Sequence, residues 1–141
     1  SKPVPGLSHY SIYTTINDKK VYKIDAYHRE DSSNNNSCDL YFGDFAKILK
    51  MLEAKYGDFE ERENSSKYGT FSSGVRWFDD RIVYKYDKNN RRIILECDRY
   101  SRRSYFLRLM YIDYKLSEIM DKESKEWLKQ KVLKESSDYD L

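Results

Sequence analysis

An amphipathic segment from Asp44 to Gly57 constrains the fold more than any other stretch of this 141-residue sequence. Its apolar side chains follow the 3.6-residue period of an α-helix and therefore share one face. These residues are Phe45, Ile48, Leu49, Leu52 and Tyr56. Asp44 is suited to cap the helix N-terminus, and Gly57 is suited to end the helix with a positive φ. A helix this short needs packing to be stable in water, so its apolar face predicts a sheet beneath it.

Alternating apolar, β-branched and aromatic residues predict strands on both sides of this helix. The expected strands are residues 9–16 and 21–28 before the helix, and 69–78, 82–86, 92–100 and 105–112 after it. Asp79-Asp80 is expected to be a tight turn, and the polar stretches 29–37 and 58–66 are expected to be loops. Apolar residues at helical spacing within 115–135 predict a C-terminal helix, with an interruption near Asp121.

These elements predict a single α+β domain over residues 1–141, in the order ββαββββα. We expect one antiparallel sheet of about five to six strands, with the first helix packed on one face and a C-terminal helix after the last strand. Residues 1–7 contain both prolines and are expected to form an irregular lead-in. Residues 136–141 are short and acidic and are expected to fray.

Composition points to no particular class of partner. The 26 basic and 24 acidic residues give a formal net charge of +2, which does not favour a polyanion. No apolar run is long enough for a membrane span. The chain begins with Ser1 rather than methionine, which suits either an edited start or a processed product whose leader has been removed. A membrane would then be reached only through an N-terminal anchor that has been removed, and we expect a monomer.

Cys38 and Cys97 are the only cysteines in the sequence. In an exported protein an even pair is typical of a disulfide that closes a long loop. In a cytosolic protein the same pair would be free thiols. Cys97 lies in an apolar strand, where a small buried thiol also fits. The sequence therefore leaves both states open.

One stretch combines a helix ending in Lys55-Tyr56-Gly57, a polar gap, a strand bearing Trp77, and apolar strands ending in Leu109-Met110-Tyr111. This combination resembles a pattern in small exported bacterial proteins and lipoproteins of uncharacterised function. The resemblance implies an extracytoplasmic location, whether periplasmic, at the cell surface or secreted. It implies no known active site and supplies no functional residues.

Few groups in the sequence suggest catalysis. His9 and His28 lie on the two arms of the first predicted hairpin, and a turn at Asp18-Lys19 would place them directly opposite each other. Two imidazoles need a further ligand to hold a metal ion. Cys38 has no activating neighbour, and the adjacent Asp39 disfavours a thiolate. We therefore predict no catalytic residue, no metal and no cofactor, and we favour a non-enzymatic role.

The remaining signal is a cluster of arginine and tyrosine near the last two predicted strands. Its members are Arg99, Tyr100, Arg102, Arg103 and Tyr105. Arginine beside tyrosine on an open sheet is typical of proteins that bind single-stranded nucleic acid, and it also suits an anionic ligand. The sequence favours a non-enzymatic extracytoplasmic binding or structural module with a protein partner. The alternative is a cytoplasmic protein that binds nucleic acid through this cluster.

Overall fold

A six-stranded antiparallel sheet forms the body of the protein in the computed structural model, which describes residues 4, 6–31, 38–41, 43–100 and 104–139. The elements are β1 (His9–Thr14), β2 (Val21–Asp31), α1 (Asp44–Tyr56), β3 (Glu60–Thr70), β4 (Arg76–Lys88), β5 (Arg91–Arg99), β6 (Ser104–Asp113) and α2 (Tyr114–Ser136). In space the strands lie in the order β1-β2-β6-β5-β4-β3. The predicted α+β class with an antiparallel sheet and two helices is confirmed.

Helix α1 packs on one face of the sheet, called here the inner face, and this contact forms the core. The sheet contributes Ala26, Ile93, Leu95, Cys97, Tyr105 and Leu107, each at most 2% exposed. The helix contributes the buried Phe45, Ile48 and Leu49, as its apolar period predicts. The helix begins at Asp44 after Gly43, and no side chain caps it, so the expected Asp44 cap is wrong. Gly57 ends the helix with φ 113°, a conformation that favours glycine.

A disulfide joins Cys38 to Cys97, with 5.5 Å between the two Cα atoms. Cys97 lies in the central strand β5 and is completely buried, whereas Cys38 lies in the segment between β2 and α1. The bond therefore ties the entry of α1 to the middle of the inner face. Of the two states that the sequence leaves open, the disulfide is the one found.

The third and fourth strands differ from the sequence expectation. Residues 58–66 were expected to be a loop, but β3 begins at Glu60 and pairs with β4. Asp79-Asp80 is not a turn and lies inside β4, while the chain reverses at residues 71–75, where the Phe71 amide donates to the Val75 carbonyl. Charged side chains on an edge strand prevent other chains from pairing with it. Such a strand therefore lacks the apolar alternation by which strands are predicted.

Helix α2 is continuous, so the expected interruption near Asp121 is wrong. Its N-terminal half contacts β2 and β6, and Asp113 caps it by accepting a hydrogen bond from the Leu116 amide at 3.0 Å. Every residue from 125 to 135 is exposed. Residues 125–136 are called here the α2 arm. At the other end of the chain, Leu7 of the expected lead-in is buried in the core.

Candidate partner-binding edge and groove

The two edges of the sheet are built differently. At one edge, β3 carries charge on five of its eleven residues. At the other edge, β1 has the sequence HYSIYT, contains no Asp, Glu, Lys or Arg, and is exposed along its whole length. Charges on an edge strand prevent other chains from pairing with it. The β3 edge therefore has this protection and the β1 edge does not.

The backbone of β1 presents unpaired groups along this edge. At the turn end of the hairpin, the Thr15 amide donates to the Lys20 carbonyl of the β1–β2 connection at 2.9 Å. Since backbone groups in a strand alternate in direction, Ser11 and Tyr13 face β2, and the backbone groups of Tyr10 and Ile12 point away from it. Among the described residues, β2 is the only strand that pairs with β1. The chain thus offers the alternate residues Tyr10 and Ile12 as a template for an added antiparallel strand.

An apolar groove runs along the inner face beside β1. Helix α1 lies over the centre of the sheet and leaves the inner face of the β1–β2 hairpin uncovered, which creates a space of about 500 Å³. The floor is formed by Ile24, Ala26 and Leu109, and the outer wall by Tyr10 and Ile12 of β1. Ile12 is 61% exposed, a high value for an isoleucine. The groove and the unpaired edge form one continuous surface.

Cations lie at the end of the groove near the last turn of α1. Lys55 lines the groove, and its ammonium lies 5.3 Å from the Tyr56 ring centroid. The Arg91 guanidinium lies 5.3 Å from the same centroid. Tyr111, on the groove wall, has a raised pKa because its hydroxyl is partly buried, and the charge of Arg91 opposes that rise. This end of the groove is suited to an acidic group.

The opposite face, called here the outer face, carries a row of alternating charges across five strands. The row consists of Asp25, Arg108, Glu96, Arg81 and Glu63. Arg108 donates two hydrogen bonds to Asp25, at 2.9 and 2.8 Å, and these bonds lower the pKa of Asp25. Arg81 donates to Glu96 at 3.0 Å. Because each charge has an opposite neighbour, the row joins the strands and leaves little net field on this face.

Asp98 lies beside this row and interacts with Asp79, another carboxyl group. Partial burial, and next the hydrogen bond and charge of Asp79, raise the pKa of Asp98 to about 6. Arg81 opposes this rise with its positive charge. Two acidic groups in contact favour the state in which they share a proton. The folded state therefore disfavours the charged form of Asp98.

We expect Asp98→Asn to stabilise the protein at pH 8 by about 1 kcal/mol, a value reduced for solvent screening. Because the pKa of Asp98 is raised in the folded state, its ionised carboxylate destabilises the fold. This destabilisation is absent below the usual pKa of 3.8 and grows as the pH rises from there through about 6. Urea unfolding of both proteins at pH 4, 6 and 8 measures the effect. Asp18→Asn, in an exposed turn, is the control. A stability difference that stays constant from pH 4 to 8 would contradict the assignment.

The histidines do not face each other as the sequence suggests. His9 pairs with Tyr27, one residue short of His28, because the hairpin register is shifted. A shift of one residue moves a side chain to the other face. The His9 ring stacks on Tyr27 at 4.8 Å, and the His28 ring lies 5.8 Å from Tyr105. The Ser8 hydroxyl joins both rings through their Nδ1 atoms, at 2.8 and 2.7 Å.

The arginine and tyrosine cluster of the sequence is divided by the fold. Tyr105 is 2% exposed and packs in the core, whereas Tyr100 is 44% exposed at the end of β5. Arg99 lies at the edge of a polar depression beside Cys38. Arg102 and Arg103 lie outside the described residues. A ligand-binding role for the cluster stays a prediction, and the β1 edge is a feature that the sequence reasoning missed.

The signal for the β1 edge was present in the sequence as the absence of charge from His9 to Thr14. Without the strand order, that absence is equally compatible with a buried central strand. Among the described helices, none is long and apolar enough to cross a membrane, and no group of three or more His, Cys, Asp or Glu residues in the same part of the chain is arranged to hold a metal ion. In comparisons with known proteins, no family model and no curated protein matches this chain.

Proposed function

We propose that this protein is a non-enzymatic, extracytoplasmic binding module whose partner is a protein segment in extended conformation. The segment adds a strand to β1 and places alternate side chains against the apolar groove. The observation that carries this proposal is the uncharged β1 edge, exposed at each of its residues, beside that groove. Strand addition of this kind draws affinity from backbone hydrogen bonds and specificity from every second side chain.

The chemistry of the groove specifies the segment. Its inner-face side chains would pack on Tyr10 and Ile12, so apolar residues are expected at every second position. The extracytoplasmic location is supported by the Cys38–Cys97 disulfide, because such bonds persist in oxidising compartments.

A phage-displayed heptapeptide library panned on the immobilised protein tests this proposal. We expect the selected peptides to alternate apolar and polar residues, and to slow hydrogen exchange at the Tyr10 and Ile12 amides. Tyr10→Pro removes an outward N–H without removing a bond to β2, and Ile12→Lys places a charge at the groove. Each should weaken peptide binding by roughly tenfold or more.

Asn64→Lys places the same charge on an exposed position of the opposite edge strand β3, and it is the matched control. It should leave peptide binding unchanged. Circular dichroism of each variant verifies that the fold is intact. Selected peptides that bind Tyr10→Pro and Ile12→Lys as well as they bind the parent protein would place the site elsewhere and contradict the proposal.

Binding of single-stranded nucleic acid through Arg99 and Tyr100 is the second candidate. The cluster is divided between the core and the surface, and the arginines of the outer face are paired with carboxylates. No observation on the described residues favours this candidate over the strand-addition site.

A further inference from the structure

The α2 arm carries apolar side chains that nothing in the described part of the chain covers. Trp127, Leu128, Val132 and Leu133 are each more than half exposed. They lie within seven residues of one another on a segment that is exposed from 125 to 135. A helix that makes no tertiary contact is marginal in water, and a cluster of exposed apolar side chains marks an interaction site. The arm is therefore a candidate interaction surface.

The direction of α2 shows where that surface must lie. At its start, the Tyr114 hydroxyl donates to Asp87 on the outer face at 2.9 Å. Nine residues later, Glu123 accepts hydrogen bonds from the Ile16 and Asn17 amides in the β1–β2 turn. Nine helical residues span about 14 Å, which exceeds the two strand spacings, about 10 Å, between β6 and β1. Since α2 begins directly after β6 and contacts β2, it crosses the sheet from β6 to β1, and the arm continues roughly 20 Å past the β1 edge.

A matching surface exists on the outer face at the other end of the strands. The His9 ring stacks on Tyr27 at 4.8 Å, and the Tyr27 ring lies 5.5 Å from Phe106. The Arg29 guanidinium lies 5.7 Å from the Phe106 centroid. Asp98 is paired with Phe106 on the adjacent strand. This row is called here the aromatic row, and an acidic group lies at its far end.

We propose that the partner of β1 is a second copy of this chain, joined by antiparallel pairing of the two β1 strands, with each α2 arm lying on the aromatic row of the other copy. The inference rests on the proposed function, since it uses the same edge. Antiparallel pairing of identical strands requires a two-fold axis perpendicular to the sheet. That axis keeps both outer faces on one side and places the turn end of one copy beside the His9 end of the other.

The register follows from the outward-pointing backbone groups. Pairing centred on Ser11 places Tyr10 of one copy opposite Ile12 of the other and satisfies both outward-pointing residues of each strand. Each arm then crosses the second copy at the level of Phe106. At about 1.5 Å per residue, Trp127 lies above the first strands and Leu133 above β6, while Lys134 approaches Asp98.

The accessible surface of the single chain is large enough for part of it to be buried on association. The chain exposes 10279 Å², whereas a compact monomer of 17.0 kDa exposes about 7,700 Å². Roughly a third more surface than expected is available, and a stable interface needs only about 800 Å² from each partner. Pairing of the two β1 strands and packing of the two arms would bury part of this additional surface.

Sedimentation equilibrium of the oxidised chain tests the proposal. We expect a dimer at concentrations of about 10–100 µM. Ser11→Lys would place two like charges at the two-fold axis, and Trp127→Glu would remove the largest side chain of the arm. Each should weaken dimerisation by about 30-fold or more, because aromatic anchors dominate interfaces and like charges oppose pairing. Asn64→Lys on β3 should leave the dimer unchanged.

A second measurement tests the register. In Ser11→Cys, the two new thiols should lie on the two-fold axis and oxidise to a covalent dimer on non-reducing gels, whereas Asn64→Cys should not. A chain that is monomeric throughout, or a dimer that Ser11→Lys leaves intact, would overturn the inference. A dimer that is insensitive to Trp127→Glu would overturn the arm contact. A monomer that still binds selected peptides at β1 would overturn the dimer and leave the proposed function standing.

Discussion

Leu49→Asp is expected to leave the protein unfolded at 25 °C. Leu49 is buried between α1 and the inner face, within the core that includes Phe45 and Ile48. The change removes an apolar side chain from this core and places a carboxylate there without a partner. Together these effects cost about 4 kcal/mol or more, which approaches the whole stability of a typical domain.

Far-UV circular dichroism and urea unfolding measure this effect. Lys50→Asp is the matched control, because Lys50 is the next residue of the same helix and is exposed. The control variant should unfold within about 1 kcal/mol of the parent protein. A Leu49→Asp variant with the parent's melting temperature would mean that α1 does not pack on the sheet, and the topology described here would be wrong.

Loss of the Cys38–Cys97 disulfide has the second largest expected effect. The two residues are separated by 59 positions, so the bond closes a long loop that contains α1 and the β3–β4 hairpin. Restricting a loop of this length in the unfolded chain stabilises the folded state by about 4 kcal/mol. The double variant Cys38→Ala/Cys97→Ala should therefore unfold at a much lower urea concentration than the oxidised parent.

Reduction of the parent protein provides the control for this prediction. With dithiothreitol present, the parent should become nearly as unstable as the double variant, whereas the variant itself should not respond to the reductant. Thiol titration of the unfolded, non-reduced parent should find no free cysteine. Two titratable thiols, or a midpoint that reductant does not change, would contradict the bond and remove one support for an extracytoplasmic location.

Parts of the fold with a strong local signal were predictable. Helix α1 was predicted because five apolar residues follow one period, and its bounds differ from the expectation by a single residue at the C-terminus. The reversal between the expected strands 82–86 and 92–100 is found between β4 and β5, at Asn89 and Asn90, which tolerate positive φ and have φ of 52° and 64°. In both cases the information lies in residues adjacent in sequence.

Strand β3 was not predictable in the same way. Its side chains alternate between two solvated surfaces at the sheet edge, so polar residues occupy both faces, and the segment from Glu60 to Ser66 reads as a loop. The hairpin register was missed for a related reason. A shift between Tyr13 and Thr14 changes the pairing of β1 with β2, and no local pattern reports it.

The candidate site depends still more on distant residues. Whether β1 is an edge or a central strand is decided by the pairing of β2 with β6, whose residues are about 80 positions apart. The groove exists because α1 covers β5 and leaves the β1–β2 hairpin open. The amino-acid sequence by itself determined the elements with local periodicity and the α+β class, and it limited the two cysteines to a disulfide or free thiols. Only the tertiary structure decided which edge is unprotected, where the arm points and which charges pair, because those properties arise from contacts between residues far apart in the chain.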